Sequence, residues 1–128
     1  MPRKKSPTLT DAELKIMEIL WDHGRATVKD VADALSKTQP VAYNTALTML
    51  KILAEKGHAK YEKQGRAFIY QPVLDRGQAR RSALRYTLSR FFNNSPTLLV
   101  QNLLEDERFA SEELANLKEK ILAAREED

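Results

Sequence analysis

Asn44, Thr45, Thr48 and Lys51 recur at helical spacing between Val41 and Lys56, with Tyr43 at the start of the run. Side chains of this kind are short enough to approach a base edge and still able to bond it. Asparagine pairs with adenine, lysine with guanine, and threonine offers a hydroxyl and a methyl that meets thymine. A tyrosine hydroxyl at a helix start can reach a phosphate while its ring packs inwards, although a purely packing role for Tyr43 is the favoured alternative. Arg66, at a hairpin tip with Lys60 and Lys63 on the strand before it, suits a phosphate or a narrow minor groove. Catalytic chemistry finds little by comparison. The two histidines, His23 and His58, adjoin neither a serine nucleophile nor a carboxylate pair, and there is no cysteine. We therefore expect no enzyme, no metal and no cofactor. The polar strip could equally be a solvated helix face, and Arg66 a plain exposed cation. What separates these readings is the order of the surrounding elements.

That order begins with a helix opened by a capping box, Thr10 with Glu13, and a hydrophobic staple, Leu9 with Leu14. Leu14, Met17 and Trp21 form its stripe, Ile16 and Leu20 widen it, and His23-Gly24 ends it. Residues 24–27 leave room for a brief pairing strand. Thr27 then caps a second helix whose apolar face is Val28, Val31, Ala32 and Leu35. Pro40 keeps Gln39 out of helical geometry, so residues 36–40 form a turn. The third helix runs from about Val41 to Lys56, closed by Gly57, with Ala46, Leu50, Leu53 and Ala54 inwards. Strands His58–Lys63 and Arg66–Gln71 flank Gln64-Gly65, a loop of hairpin length. Phe68 and Tyr70 share one face and should cover the helices. Helix, short strand, helix, helix and hairpin make a winged helix-turn-helix, mainly α with a small β-hairpin wing. In such a fold the third helix is thrust out to enter a major groove.

The rest of the chain reads as helical. Leu84, Leu88, Phe91 and Phe92 mark a helix from about Asp75. Ser95-Pro96 opens another through about Leu104, and Ser111 caps a last one with the stripe Leu114, Leu117 and Ile121. Three short helices have too little surface of their own to bury these residues together with Leu99 and Leu103. An isologous homodimer would cover them and would match an inverted-repeat operator on double-stranded DNA. The alternative is that they fold back on the winged head. Residues 1–72 are expected to form the DNA-binding domain, with 1–8 a basic arm, and residues 73–128 the helical dimerisation domain. Charge follows the same division. Residues 1–72 carry 12 Lys/Arg against 8 Asp/Glu, whereas residues 96–128 carry 4 against 9. A basic front can meet phosphates, and an acidic tail cannot. No apolar run nears the roughly 20 residues of a membrane span, and the N-terminus lacks a signal peptide's apolar stretch. A cytoplasmic protein is expected.

The stretches Leu9-Thr10-Asp11-Ala12-Glu13, Leu20-Trp21, Thr27-Val28-Lys29-Asp30-Val31 and Ala42-Tyr43-Asn44-Thr45-Ala46-Leu47-Thr48-Met49-Leu50 occur in that order, followed by Glu55-Lys56-Gly57. With Gly65-Arg66-Ala67-Phe68-Ile69-Tyr70 and Arg90-Phe91-Phe92-Asn93-Asn94-Ser95 they resemble the BlaI/MecI/CopY family of penicillinase-type repressors over nearly the whole chain. The resemblance implies a winged-helix head, a helical dimer domain and repression at an inverted-repeat operator. In the antibiotic-resistance branch it also implies proteolysis in the dimer region after an Asn-Phe pair, triggered by a membrane sensor. The matching stretch here is Gln101-Asn102-Leu103-Leu104, with leucine where the family has phenylalanine. Asn102 and Leu103 are thus the candidate cleavage site and a sensor-linked protease the candidate partner. The copper-responsive branch uses a C-terminal cysteine cluster, which this chain lacks. The rival reading is a winged-helix module that binds protein instead of DNA, for which outward-facing Ile52 and Glu55 are the sign.

Overall fold

The computed structural model describes residues 8–126, so all but Thr8 of the expected basic arm lies outside the described residues. The chain forms two compact units that divide between Leu84 and Arg85.

In the first unit, α1 (Asp11–His23) starts where the capping box predicts. The Glu13 amide donates to Thr10 Oγ1 at 3.2 Å, and the Thr10 amide donates back to Glu13 Oε1 at 2.9 Å. Gly24, at φ 77°, closes the helix by donating to the Leu20 carbonyl. A two-residue strand β1 (Ala26–Thr27) leads into α2 (Val28–Leu35), again opened by a reciprocal box, Thr27 with Asp30. The turn to the next helix is tied by one side chain. Ser36 Oγ accepts from the Val41 amide at 3.0 Å and lies 3.2 Å from the Val41 carbonyl, to which it donates. Helix α3 (Tyr43–Glu55) follows, then β2 (Ala59–Gln64) and β3 (Ala67–Pro72).

β3 is the central strand of a three-stranded antiparallel sheet, with β1 on one side and β2 on the other. The hairpin register pairs Gln64 with Ala67, so the turn residues are Gly65 and Arg66, one position later than the expected Gln64-Gly65. The reason is local. Gly65 takes φ 61° at the first turn position, which costs a glycine little and glutamine more.

The core is made by Ile16, Met17 and Leu20 of α1, Val28, Val31 and Ala32 of α2, and Ala46, Leu50 and Leu53 of α3. Ala26, Ala59 and Tyr70 close it from the sheet. Two expected core positions lie elsewhere. Leu14 is exposed on α1, because the buried stripe runs Glu13, Ile16, Met17 and Leu20 instead. Phe68 shares a face with Tyr70, but only Tyr70 lies over the helices; Phe68, two residues nearer the hairpin tip, is exposed.

Glu13 joins that stripe because it has a partner. Lys56 at the end of α3 reaches Glu13 Oε2 at 2.7 Å, with both side chains largely buried. Burial by itself raises the Glu13 pKa, but hydrogen bonds from Lys56 and Thr10 outweigh it and hold the carboxyl below its ordinary value. Helix α4 (Arg76–Phe91) is anchored at its start. Trp21 Nε1 donates to the Leu74 carbonyl at 2.9 Å, and the Arg76 guanidinium lies 5.1 Å from the Trp21 ring centre while bonding Asp22 at 3.1 Å.

The second unit holds the end of α4, α5 (Pro96–Glu105) and α6 (Ser111–Glu126). Ser95 caps α5 by accepting from the Leu98 amide, as its sequence predicts. Ser111 is the first residue of α6 and not its cap. Between α4 and α5, Asn93 and Asn94 both take left-handed backbone, φ 51° and 59°. The Asn94 amide closes α4 on the Leu88 carbonyl at 2.8 Å. No described side chain of α5 or α6 is buried.

Candidate nucleic-acid interface

α3 is held to the core along Ala46, Leu50 and Leu53, and this fixes which side chains point away. Tyr43, Asn44, Thr45, Thr48 and Lys51 are all exposed, occupying the outer face over the first turns. The structure thus brings together five of the six candidate contact residues on one helix, with the sixth, Arg66, exposed in the hairpin turn. Tyr43 is 51% exposed, more open than a ring packed inwards would be.

The start of α3 differs from the starts of its neighbours. α1 and α2 both open with a capping side chain and an acidic residue in the first turn. α3 opens at Ala42, which offers no side-chain cap, and its first turn has no acidic residue. A helix start in this state presents its partial positive charge and its first amides outwards, where a phosphate oxygen can accept from them. Only one side chain on the strip bonds its own backbone: Thr48 Oγ1 donates to the Asn44 carbonyl at 2.9 Å. That bond takes up the hydroxyl proton and leaves the oxygen lone pairs and the methyl to face a partner.

Tyr61 is a group that sequence reasoning passed over. It stands opposite Tyr70 in the β2–β3 ladder, with ring centres 5.3 Å apart, and meets Phe68 edge-on at 5.6 Å. Period-two alternation places Tyr61 and Lys63 on the same face as Phe68 and Tyr70. The same alternation along residues 59–64 is the signal in the sequence that marks Tyr61. Tyr70 itself has its hydroxyl pKa pushed up, first by burial and then by the phenols of Tyr61 and Tyr43.

The candidate dimer residues divide by exposure. Leu84, Phe91 and Ile121 are exposed, Phe91 at 75%; Leu88, Phe92, Leu99, Leu103, Leu114 and Leu117 are half-buried. Between α5 and α6 lies an open apolar groove of about 520 Å³, lined by Val100, Leu104, Leu114, Leu117 and Ile121 among others. Asn102 is exposed within α5, and its side-chain amide donates to the Leu98 carbonyl at 2.8 Å. Among the described residues no group of three or more His, Cys, Asp or Glu side chains could hold a metal ion, and no helix is long and apolar enough to cross a membrane.

Comparison with known proteins places this arrangement in context. The sequence model of the penicillinase repressor family matches residues 9–123. The chain is 35% identical over 114 residues to the penicillinase repressor of Bacillus licheniformis, covering 89% of each. It is 36% identical over 75 residues to the transcriptional regulator BlaI of Mycobacterium tuberculosis, covering 58% of this chain and 54% of that one. Among solved structures, the DNA-binding domain of the repressor BlaI superposes with a TM-score of 0.51 at 38% identity, over 59% of this chain and 93% of that one. A structure of hsRosR-S1 shares the fold, with a TM-score of 0.54 at 18% identity over 91% of each chain.

Proposed function

The chain belongs to the penicillinase repressor family, and from that premise we propose that it is a homodimeric transcription repressor acting at an inverted-repeat DNA operator. The observation that carries this reading is the outer face of α3: small polar groups and one lysine, exposed, on a helix whose opposite side is locked into the core. In each protomer α3 enters a major groove, where Asn44, Thr45, Thr48 and Lys51 meet base edges and Tyr43 a phosphate. Arg66 holds the backbone or narrow minor groove beside the wing. Residues 1–72 form the DNA-binding part and residues 73–128 the dimerising part. What supports dimerisation is the apolar surface that α5 and α6 leave uncovered. Acting on the chromosome, such a repressor works in the cytoplasm.

Release by proteolysis between Asn102 and Leu103 requires the middle of α5 to unwind, because proteases bind extended backbone. α5 fully buries no side chain within one protomer, so what unwinding has to break is the proposed dimer contact of Leu99 and Leu103. A sensor-linked protease is the partner that this step calls for.

The test is a binding measurement on duplexes selected from a random pool. Asn44→Ala is expected to relax base preference at one position by ~1–3 kcal/mol. Arg66→Ala is expected to weaken binding to all sequences and to lower the salt slope by about one. Equal losses for both variants on selected and random duplexes would contradict the assignment.

A further inference from the structure

Between α1 and the start of α4 lies an open pocket of about 240 Å³, and no residue of α3 or the hairpin lines it. Leu9, Leu14 and Trp21 form one wall, Ala79 and Ala83 the other. Leu14, left out of the buried stripe of α1, is 38% exposed here. The two alanines keep the space open, because a longer side chain at either position would reach into it. Three charged groups share the lining: Glu18, Arg76 and Arg80. Arg76 is held in place by Asp22 through one nitrogen and by the Trp21 ring, which leaves its other donors available. Arg80 is exposed and forms no ion pair among the described residues.

We infer that this pocket is a site for a small organic monoanion with a flat apolar body, an arylalkyl carboxylate in chemical class, and, resting on the repressor reading above, that its occupant is an effector of DNA binding. Size sets the body. A cavity of roughly 150 Å³ accepts a benzene ring, and drug-sized ligands take about 300 Å³ or more. A pocket between the two suits one ring with a short chain. Charge sets the head. Two guanidiniums against one carboxylate leave the lining with a single net positive charge, which matches a carboxylate and not a phosphate dianion. The same charge disfavours the chain's own N-terminus as occupant, since the residues before Thr8 include Arg3, Lys4 and Lys5. The effect on DNA follows from what α4 carries. Leu84, Leu88 and Phe91 of the proposed dimer contact lie on it. A body wedged between α1 and α4 competes with the Trp21–Leu74 hydrogen bond and the stacking of Arg76 on Trp21, the contacts that fix where α4 starts. Two heads joined through a displaced α4 lose the spacing that an inverted repeat demands.

The full chain reports on the pocket by its own fluorescence, because Trp21 is its single tryptophan. Titration with phenylacetate is expected to shift that emission saturably with a Kd on the order of 1 mM, the reach of about ten non-hydrogen atoms. Phenylacetamide, its uncharged isostere, is expected to bind about fivefold more weakly, and Arg80→Gln to remove the difference between the two. Ala83→Leu, a change at an exposed position, is expected to abolish binding by filling the space. Saturating phenylacetate is expected to weaken binding to the selected inverted-repeat duplex about fivefold and to leave a single half-site unaffected. No saturable shift, or equal binding of the two compounds, overturns the site. Trp21 emission that changes with chain concentration alone gives the pocket to a second copy and overturns it too. Saturable binding with duplex affinity unchanged overturns the effector role. A chain that binds no duplex at low salt removes the repressor reading and that role together, while the phenylacetate titration still decides the site.

Discussion

At the scale of single residues, Thr48 shows how a local bond narrows what a side chain can offer. Its hydroxyl proton is engaged by the Asn44 carbonyl, so Thr48 meets a partner with a methyl and an acceptor. Thr48→Val keeps the methyl and is expected to bind a selected duplex within about 0.5 kcal/mol of the native chain, whereas Thr48→Ala loses about 1 kcal/mol or more. Competition anisotropy separates the two, and equal losses would show that the hydroxyl, not the methyl, makes the contact. Glu13 makes a second case, at the level of stability. Its folded pKa lies below the ordinary value of 4.5, so the carboxylate is stabilised in the folded state. That contribution is fully present above the unfolded pKa and is lost as pH falls from there through the folded value. Thermal melts are therefore expected to lose stability below about pH 4.5 through this group. Glu13→Gln, which leaves Lys56 without its charge partner, costs about 1–3 kcal/mol at neutral pH and flattens that acid limb. A variant with an unchanged acid limb would move the pH dependence elsewhere.

At the scale of elements, the wing depends on its turn. Gly65 holds φ 61°, and a Cβ built there would meet nothing within 4 Å, so the cost of a side chain is purely backbone. Gly65→Ala is expected to destabilise the chain by roughly 1–2 kcal/mol, measured by chemical denaturation. It should also weaken DNA binding without changing base preference, because the hairpin carries Lys63 and Arg66 but not α3. A Gly65→Ala chain of native stability would mean that the turn adopts another geometry. The helix starts show a contrast of the same kind. α1 and α2 spend side chains on their own first-turn amides, and α3 does not. An uncapped start on a buried or solvated helix loses up to a few kcal/mol of available stabilisation, about 0.5–2. On a helix aimed at phosphates it leaves the amides available.

At the scale of the whole molecule, the question is what covers α5 and α6. Leu104 and Ile121 are exposed beside the apolar groove between these helices. In the proposed dimer a second copy of the chain covers this surface. Leu104→Glu with Ile121→Glu is expected to give a monomer in sedimentation equilibrium. The same change should reduce affinity for an inverted-repeat duplex by about a hundredfold, the advantage that linking two heads confers, while a single half-site is bound as before. A double variant that remains dimeric would place the dimer contact on other residues, with Phe91 the first to examine.

Much of this was legible in the sequence because the deciding signals are local. Capping at Thr10, Thr27 and Ser95 depends on residues three positions apart, and the buried stripe of α3 on a period of 3.6; both can be counted along the chain. The outward strip from Asn44 to Lys51 followed from that period alone. Tertiary structure decided what depends on residues far apart. Whether Leu14 or Glu13 turned inwards rested on Lys56, 43 residues away, since a carboxylate is buried only with a partner. Tyr61 stands against Tyr70 and Phe68 because β2 is held against β3 in one register, which depends on both strands together.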